Sequence, residues 1–341
     1  MSAHPSPDFR RVHQALHCQQ PDRVPLAELW VDQVVMEAVI GRHIGSHDTG
    51  EDYDLEAEIE FWYRAGYDYI HIEPRYFFPK RSGRRPTPDE QTGWIETWKD
   101  FEEYPWPTLA GVDFSSLERA PELLPEGMGI IAGTSGIFEE VWMILGFTNM
   151  CLLLHDQPHL VEAVFMRVGN FLLEVFRKAA AYPRVGAMWI SDDIAYTSGP
   201  MIHPKYYRLW LFPWYRKMKA ICDSHKIPFL IHSDGCLYSL MDDLLSIGFN
   251  GLHPIEPKAM DIHEVKERYG DRICLIGNVD LDYPLARGTP QEVDEAVREL
   301  IQIAAPGGGF CLGSSNTITS YVPLENYLAM LEACRKYGVY H

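Results

Sequence analysis

Two residues carry the sharpest chemical signal in the chain: His232 and Asp234, in the run Ile231-His232-Ser233-Asp234-Gly235. Two apart on an extended strand, their side chains share one face, so both can enter the same pocket. A histidine and a carboxylate so placed suit a metal-ligand pair or a general acid–base pair. A hydrogen-bonded structural histidine is the competing reading. Comparable groups recur at the ends of other apolar runs: Glu28 and Trp30, Glu73, Ser135, Asp192 and Asp193, His253 and Glu256, Asn278 and Asp280, Ser314 and Asn316. Buried charges are costly and are kept when paired, solvated or functional, so this convergence marks a site. The Asp192-Asp193 pair suits a cation, a substrate amine or a helix start. Cys236 is a possible thiolate ligand, though a buried apolar thiol is the more ordinary state for such a residue.

These groups need a scaffold that brings distant strand ends together. Eight short apolar runs are candidate strands, at 24–30, 67–74, 129–135, 185–193, 227–235, 249–257, 273–280 and 309–316. Their near-continuous hydrophobicity is that of strands covered on both faces. Between them, residues 54–65, 139–155, 158–181, 204–225, 237–246, 261–269, 290–304 and 324–337 carry apolar residues at helical spacing. The alternation predicts an α/β fold, a single (β/α)₈ TIM barrel spanning residues 1–341 as one domain, with catalytic groups at the C-terminal strand ends. An open doubly wound sheet is the rival, but no glycine-rich phosphate turn follows Trp30. Residues 75–107, with Trp94, Trp98, Tyr104 and Trp106, read as an irregular insertion after the second strand. It is either a lid over the barrel mouth or an aromatic patch for self-association.

The formal net charge of −18 argues against nucleic-acid and anionic-membrane partners. No apolar run reaches the roughly 18 residues of a membrane span, and the first residues lack a secretion signal. Seven scattered cysteines without a C-x-x-C pair point to reduced thiols in a cytoplasmic protein.

The strand-end motifs also carry a family resemblance. Ser191-Asp192-Asp193-Ile194-Ala195-Tyr196 through Ser198-Gly199-Pro200 to Pro204, then Ile231–Gly235, His253-Pro254-Ile255-Glu256-Pro257, Gly277-Asn278-Val279-Asp280 and Ala305–Phe310, resemble the uroporphyrinogen decarboxylase superfamily. The resemblance implies a (β/α)₈ barrel and two branches of activity. One branch is cofactor-free decarboxylases; the other is zinc methyltransferases that exchange methyl groups with a corrinoid protein or a thiol.

The chain departs from both patterns. Where the decarboxylases carry arginines after the first strand, Glu28, Trp30 and Asp32 stand here; their Gly-His-Gly is Gly313-Ser314-Ser315-Asn316, and their tyrosine falls near Trp142 or Met143. The methyltransferases' His-x-Cys becomes His232-x-Asp234, and their further cysteine falls among Ser314, Ser315 and Asn316. The resemblance therefore implies a divergent member with metal on His232 and Glu256, zinc accepting carboxylates as well as thiolates. Asp192, Asp234 and Glu73 are the expected catalytic groups. Glu28, Trp30, Asp193, Tyr196, Asn278 and Asn316 are expected to contact a small-molecule substrate. The leading expectation is methyl transfer from a small methylated substrate to a corrinoid or thiol acceptor, the corrinoid carried on a partner protein. The alternatives are a metal-free carboxy-lyase and a non-catalytic small-molecule binder.

Overall fold

A computed structural model describes residues 6–46, 52–79 and 93–340. Seven parallel strands form one curled sheet in the order β1 (Tyr69–Ile72), β2 (Gly129–Ser135), β3 (Val185–Ser191), β6 (Phe229–His232), β7 (Gly251–His253), β8 (Cys274–Val279) and β9 (Phe310–Ser314). A two-residue antiparallel ribbon, β4 (Ala195–Tyr196) with β5 (Gly199–Pro200), rises beyond β3. The buried apolar residues form one contiguous cluster that draws on both faces of the sheet.

The eight-strand expectation needs correction at its first member. Residues 24–30 form no strand; they touch the sheet through isolated bridges, Leu26 with Leu312 and, just beyond, Val31 with Ile318. Pro25 has no N–H to give a ladder, although its carbonyl accepts from Leu312 N while Ala27 N donates to Leu312 O. Toward β1 a side chain substitutes for the ladder. The Tyr69 hydroxyl accepts from Glu28 N at 2.9 Å and donates to Glu28 O at 2.8 Å. One irregular stave thus lies between the two edges of the seven-stranded sheet.

Most helices follow from their sequence signals. Pro290–Ala304 starts on a reciprocal cap between Thr289 and Glu292. Leu55–Ala65 starts on Asp54 and stops at Gly66, whose φ is 93°. Two expected helices are broken. Residues 139–155 divide into Ile137–Leu145 and Phe147–Asp156, bent by 90° at Gly146. The Ile144 carbonyl, buried at the break, accepts from Trp94 N at 2.7 Å. Residues 204–225 divide around a π-turn, Tyr207–Leu211, ahead of Pro213, which cannot donate to the preceding turn. No single described helix is long and apolar enough to cross a membrane.

The excursion after β1 is pinched at its base by an antiparallel bridge between Arg75 and Asp113. Residues 80–92 of the expected insertion lie outside the described residues. On the described part, Tyr104 packs against Trp94 at 5.6 Å and Trp106 at 4.5 Å, so these rings cover one another. Tyr76, at its start, is bonded to Ser135 at the end of β2.

Candidate active site

The ends of β3 and β6 carry the centre of the site. Ser191 stands in register with His232, and His232 with His253. Beyond β3 the chain turns so that two adjacent aspartates face different ways. Asp192 is fully buried and accepts from Phe138 N at 3.0 Å, Glu139 N at 2.9 Å and the Tyr215 hydroxyl at 2.6 Å. It caps the helix Ile137–Leu145 rather than one following its own strand, which explains why a carboxyl raised to about 6 by burial is retained there. Asp193 faces the other way, toward His232.

His232 Nε2 lies 3.6 Å from Asp193 Oδ1 and 3.9 Å from Asp234 Oδ1. These gaps are too long for hydrogen bonds. Ligand atoms of Asp193, His232 and Asp234 nevertheless all lie within 4.8 Å of one another. Asp234 N donates to Asp193 Oδ1 at 2.7 Å, and Asp234 Oδ2 accepts from Asn316 Nδ2 at 2.5 Å. Asp234 Oδ1 is buried with no partner. Gly235, at a φ of 87°, permits this turn, and a side chain there would strike the Ala195 carbonyl of the ribbon.

Acidic groups crowd the site. Burial, with Asp193 and Glu256 nearby, pushes the Asp234 carboxyl up to about 8 against the help of Asn316. Burial and the Asp193 and Asp192 charges push Glu139 up to about 9. No lysine or arginine forms an ion pair with Glu139, Asp193, Asp234 or Glu256 among the described residues. Burial holds His232 below the ordinary histidine range, opposed by Asp193, so its imidazole is neutral. A neutral imidazole and two crowded carboxyls, one of them with an unpartnered buried oxygen, form a donor set that fits a divalent cation.

The remaining expected residues fall into three groups. Glu256 accepts from Gly235 N at 2.9 Å and so braces the turn, outside the three-residue ligand group. Asn278 donates to the Ile255 carbonyl, holding the loop after β7, and Asp280 caps the chain that follows β8. Glu28 is buried, with Oε1 accepting from Ser314 N at 2.6 Å and Oε2 from Ser314 Oγ at 2.8 Å. Burial raises it to about 8, and both its oxygens are occupied by the closure of the sheet. Trp30 is exposed and leans over His71 at 6.1 Å; Tyr196, on the ribbon, is exposed and packs against Phe147. Glu73 stands over Gly133 beside His71 and is lifted by burial to about 7. Cys236 N donates to the Tyr196 carbonyl, and the thiol is not in the ligand group.

A cleft of about 620 Å³ opens beside Asp234 and Asn316, walled by Glu256, Asp280, Arg287 and Tyr321. Two residues that the strand ends did not single out lie close to the site, Glu139 beside Asp193 and His71 beside Glu73, and His253, which they did, stands behind His232. His253 Nδ1 lies 2.7 Å from His232 Nδ1, so it orients the imidazole from behind. Glu139 had one usable signal, its place in the first turn after β2.

A curled parallel α/β sheet with its acidic, histidine-containing site at the C-terminal strand ends defines the class of protein. Within that class the chain belongs to the uroporphyrinogen decarboxylase (URO-D) family, which it matches over residues 94–337. It is 30% identical over 148 residues to the methylcobamide:CoM methyltransferase MtaA of Methanosarcina barkeri, covering 43% of this chain and 41% of that one. The match thus spans about two fifths of that relative's length. The methylated-thiol–coenzyme M methyltransferase of Methanosarcina mazei is 23% identical over 70% of this chain and 61% of its own. A Coxiella burnetii uroporphyrinogen decarboxylase is 28% identical over 23% of this chain and 21% of its own. Among solved structures, a methyltransferase from Methanosarcina mazei superposes with a TM-score of 0.74 at 18% identity over 97% of this chain and 99% of its own, which is a likeness of fold.

Proposed function

We propose that this protein is a metal-dependent methyltransferase that removes a methyl group from a small methylated substrate and passes it to a corrinoid or thiol acceptor. The observation that carries this reading is the group Asp193, His232 and Asp234, with its unpartnered carboxylate oxygen. The similarity to methyltransferases whose names specify methylcobamide and coenzyme M supports the choice of reaction.

Asp193, His232 and Asp234 would hold the ion, with Glu256 close behind Asp234 and Glu139 beside Asp193. When bound, a divalent cation supplies Lewis acidity toward the heteroatom that carries or receives the methyl group. The protein's own work is to orient these donors. His253 and Asn316 fix His232 and Asp234, Glu256 braces the turn between them, and Asp192 anchors the chain that presents Asp193. A set of oxygen donors around one imidazole is harder than a thiolate set, and suits a substrate with oxygen or nitrogen at the leaving atom. Zinc is the proposed metal, and a corrinoid-bearing protein the proposed partner.

A metal-free lyase is the second reading, favoured by the raised Glu73 and Asp234 carboxyls, which would act as proton donors near neutrality. Incubating the protein with zinc, reduced cobalamin and a panel of methyl ethers, methylamines and methyl thioethers separates the two. Methylcobalamin should form in a chelator-sensitive reaction that Asp193→Ala abolishes. A reaction indifferent to chelation, or no methylcobalamin from any donor, would refute the metal reading.

A further inference from the structure

Behind His232, on the inward face of the sheet, lies a set of polar atoms that the metal chemistry leaves unused. His71 Nε2, Glu73 Oε1, Trp189 Nε1, Ser191 Oγ and His253 Nε2 are each buried without a hydrogen-bond partner. The register places their strand residues on one face: His71 opposite Ile131, Gly133 opposite Trp189, and Ser191, His232 and His253 in a row. The Trp189 ring lies 5.8 Å from His71 and 5.3 Å from His253. A side chain at Gly133 would sit 2.4 Å from His71 Nε2 and 2.6 Å from Glu73 Oε1, so those two atoms converge over the glycine and occupy the place of its missing side chain. Each buried orphan costs about 1–3 kcal/mol, so a cluster of them belongs with something that hydrogen-bonds.

The polarity of these atoms narrows the ligand. Trp189 Nε1–H can only donate. The backbone of Leu29 takes the other ring nitrogen of His71, and burial keeps that imidazole neutral, so its Nε2 can only accept. If His232 directs a lone pair toward Asp193 and Asp234, its proton is on Nδ1 and is donated to His253 Nδ1. The proton of His253 then sits on Nε2 as a second donor facing the niche. An ammonium would meet these two N–H groups head-on, a carboxylate would face Glu73, and a carbonyl would leave His71 unpaired. A hydroxyl satisfies both kinds of partner.

We infer that this niche receives the hydroxyl group of a small neutral ligand, its oxygen accepting from Trp189 and His253 and its O–H donating to His71. Glu73, 26% exposed on its outer side, closes the niche toward the mouth. The inference deepens the proposed methyl transfer by naming a substrate class, and it rests on the metal reading only for the polarity of His253.

The test uses the full chain with zinc and two probes, 2-methoxyethanol and 1,2-dimethoxyethane, which differ by the replacement of a hydroxyl with a methyl ether. The readout is the ¹H–¹⁵N signal of the Trp189 indole, assigned by its loss in Trp189→Phe. 2-Methoxyethanol should shift that signal saturably, with the diether at least about tenfold weaker, the equivalent of one hydrogen bond of about 1.4 kcal/mol. His71→Gln, which replaces the imidazole acceptor with a flexible amide, should weaken the alcohol similarly without changing zinc content. An equal response to both probes, or an indole signal that exchanges only with a trapped water, would overturn the niche. A hydroxyl-selective shift in a protein that binds no zinc would leave the niche standing and remove the metal reading alone.

Discussion

Glu28 and Asp234 make an instructive pair. Both are carboxyls at the mouth end of the sheet, and burial raises each to about 8. Their oxygens are treated differently. Glu28 has both satisfied by Ser314, whereas Asp234 gives one to Asn316 and leaves the other buried and unpartnered, facing His232. The adjacent Asp192 and Asp193 differ likewise, one holding three donors and the other a single one, Asp234 N, on the oxygen turned toward His232. A raised carboxyl is therefore not the mark of the site; an unspent oxygen is. Glu28 and Asp192 staple the structure, and Asp193 and Asp234 are available to a ligand.

The largest effect should come from breaking a staple. Asp192→Ala strands the Phe138 and Glu139 amides and the Tyr215 hydroxyl, and should destabilise the metal-free protein by about 3 kcal/mol in denaturant titration. A stability close to wild type would erase the distinction between the two aspartates. Asp234→Ala should do the reverse, lowering zinc affinity by about 100-fold in calorimetry while leaving metal-free stability nearly unchanged. Loss of stability without loss of affinity would make Asp234 a second staple.

A smaller effect concerns pH. The folded-state pKa of Glu28 lies above its unfolded value of about 4. The folded state therefore holds a proton that the unfolded state releases, and stability falls as pH rises through the window up to about 8. Glu28→Gln keeps an acceptor for Ser314 N and a donor for its hydroxyl, so it should flatten the metal-free melting curve against pH and raise Tm near pH 9. A Tm that drops equally in both proteins would contradict this. The smallest effect is expected from Glu256→Gln, which keeps an oxygen for Gly235 N and should change zinc affinity by less than about tenfold.

The same distinction marks what the sequence could reveal. Periodicity and caps located Pro290–Ala304 and Leu55–Ala65, because their start and stop signals are local. The first strand was over-read because apolar composition does not register that Pro25 lacks a donor, nor that the Tyr69 hydroxyl would replace a ladder. His232 and Asp234 were legible as a same-face pair. Past the end of β3 alternation no longer applies, so spacing cannot tell which of Asp192 and Asp193 turns inward. Glu139 reaches the site through a tertiary contact, over 53 residues of separation, that no local pattern encodes, and His253, legible as a strand end, revealed nothing of its pairing with His232.

Elemental analysis of the protein equilibrated with zinc and freed of excess tests the central claim most directly. One equivalent of zinc in the wild type, lost in His232→Ala with the fold retained by circular dichroism, is the predicted result. A metal-free wild type, or an equivalent that survives in His232→Ala, would contradict it.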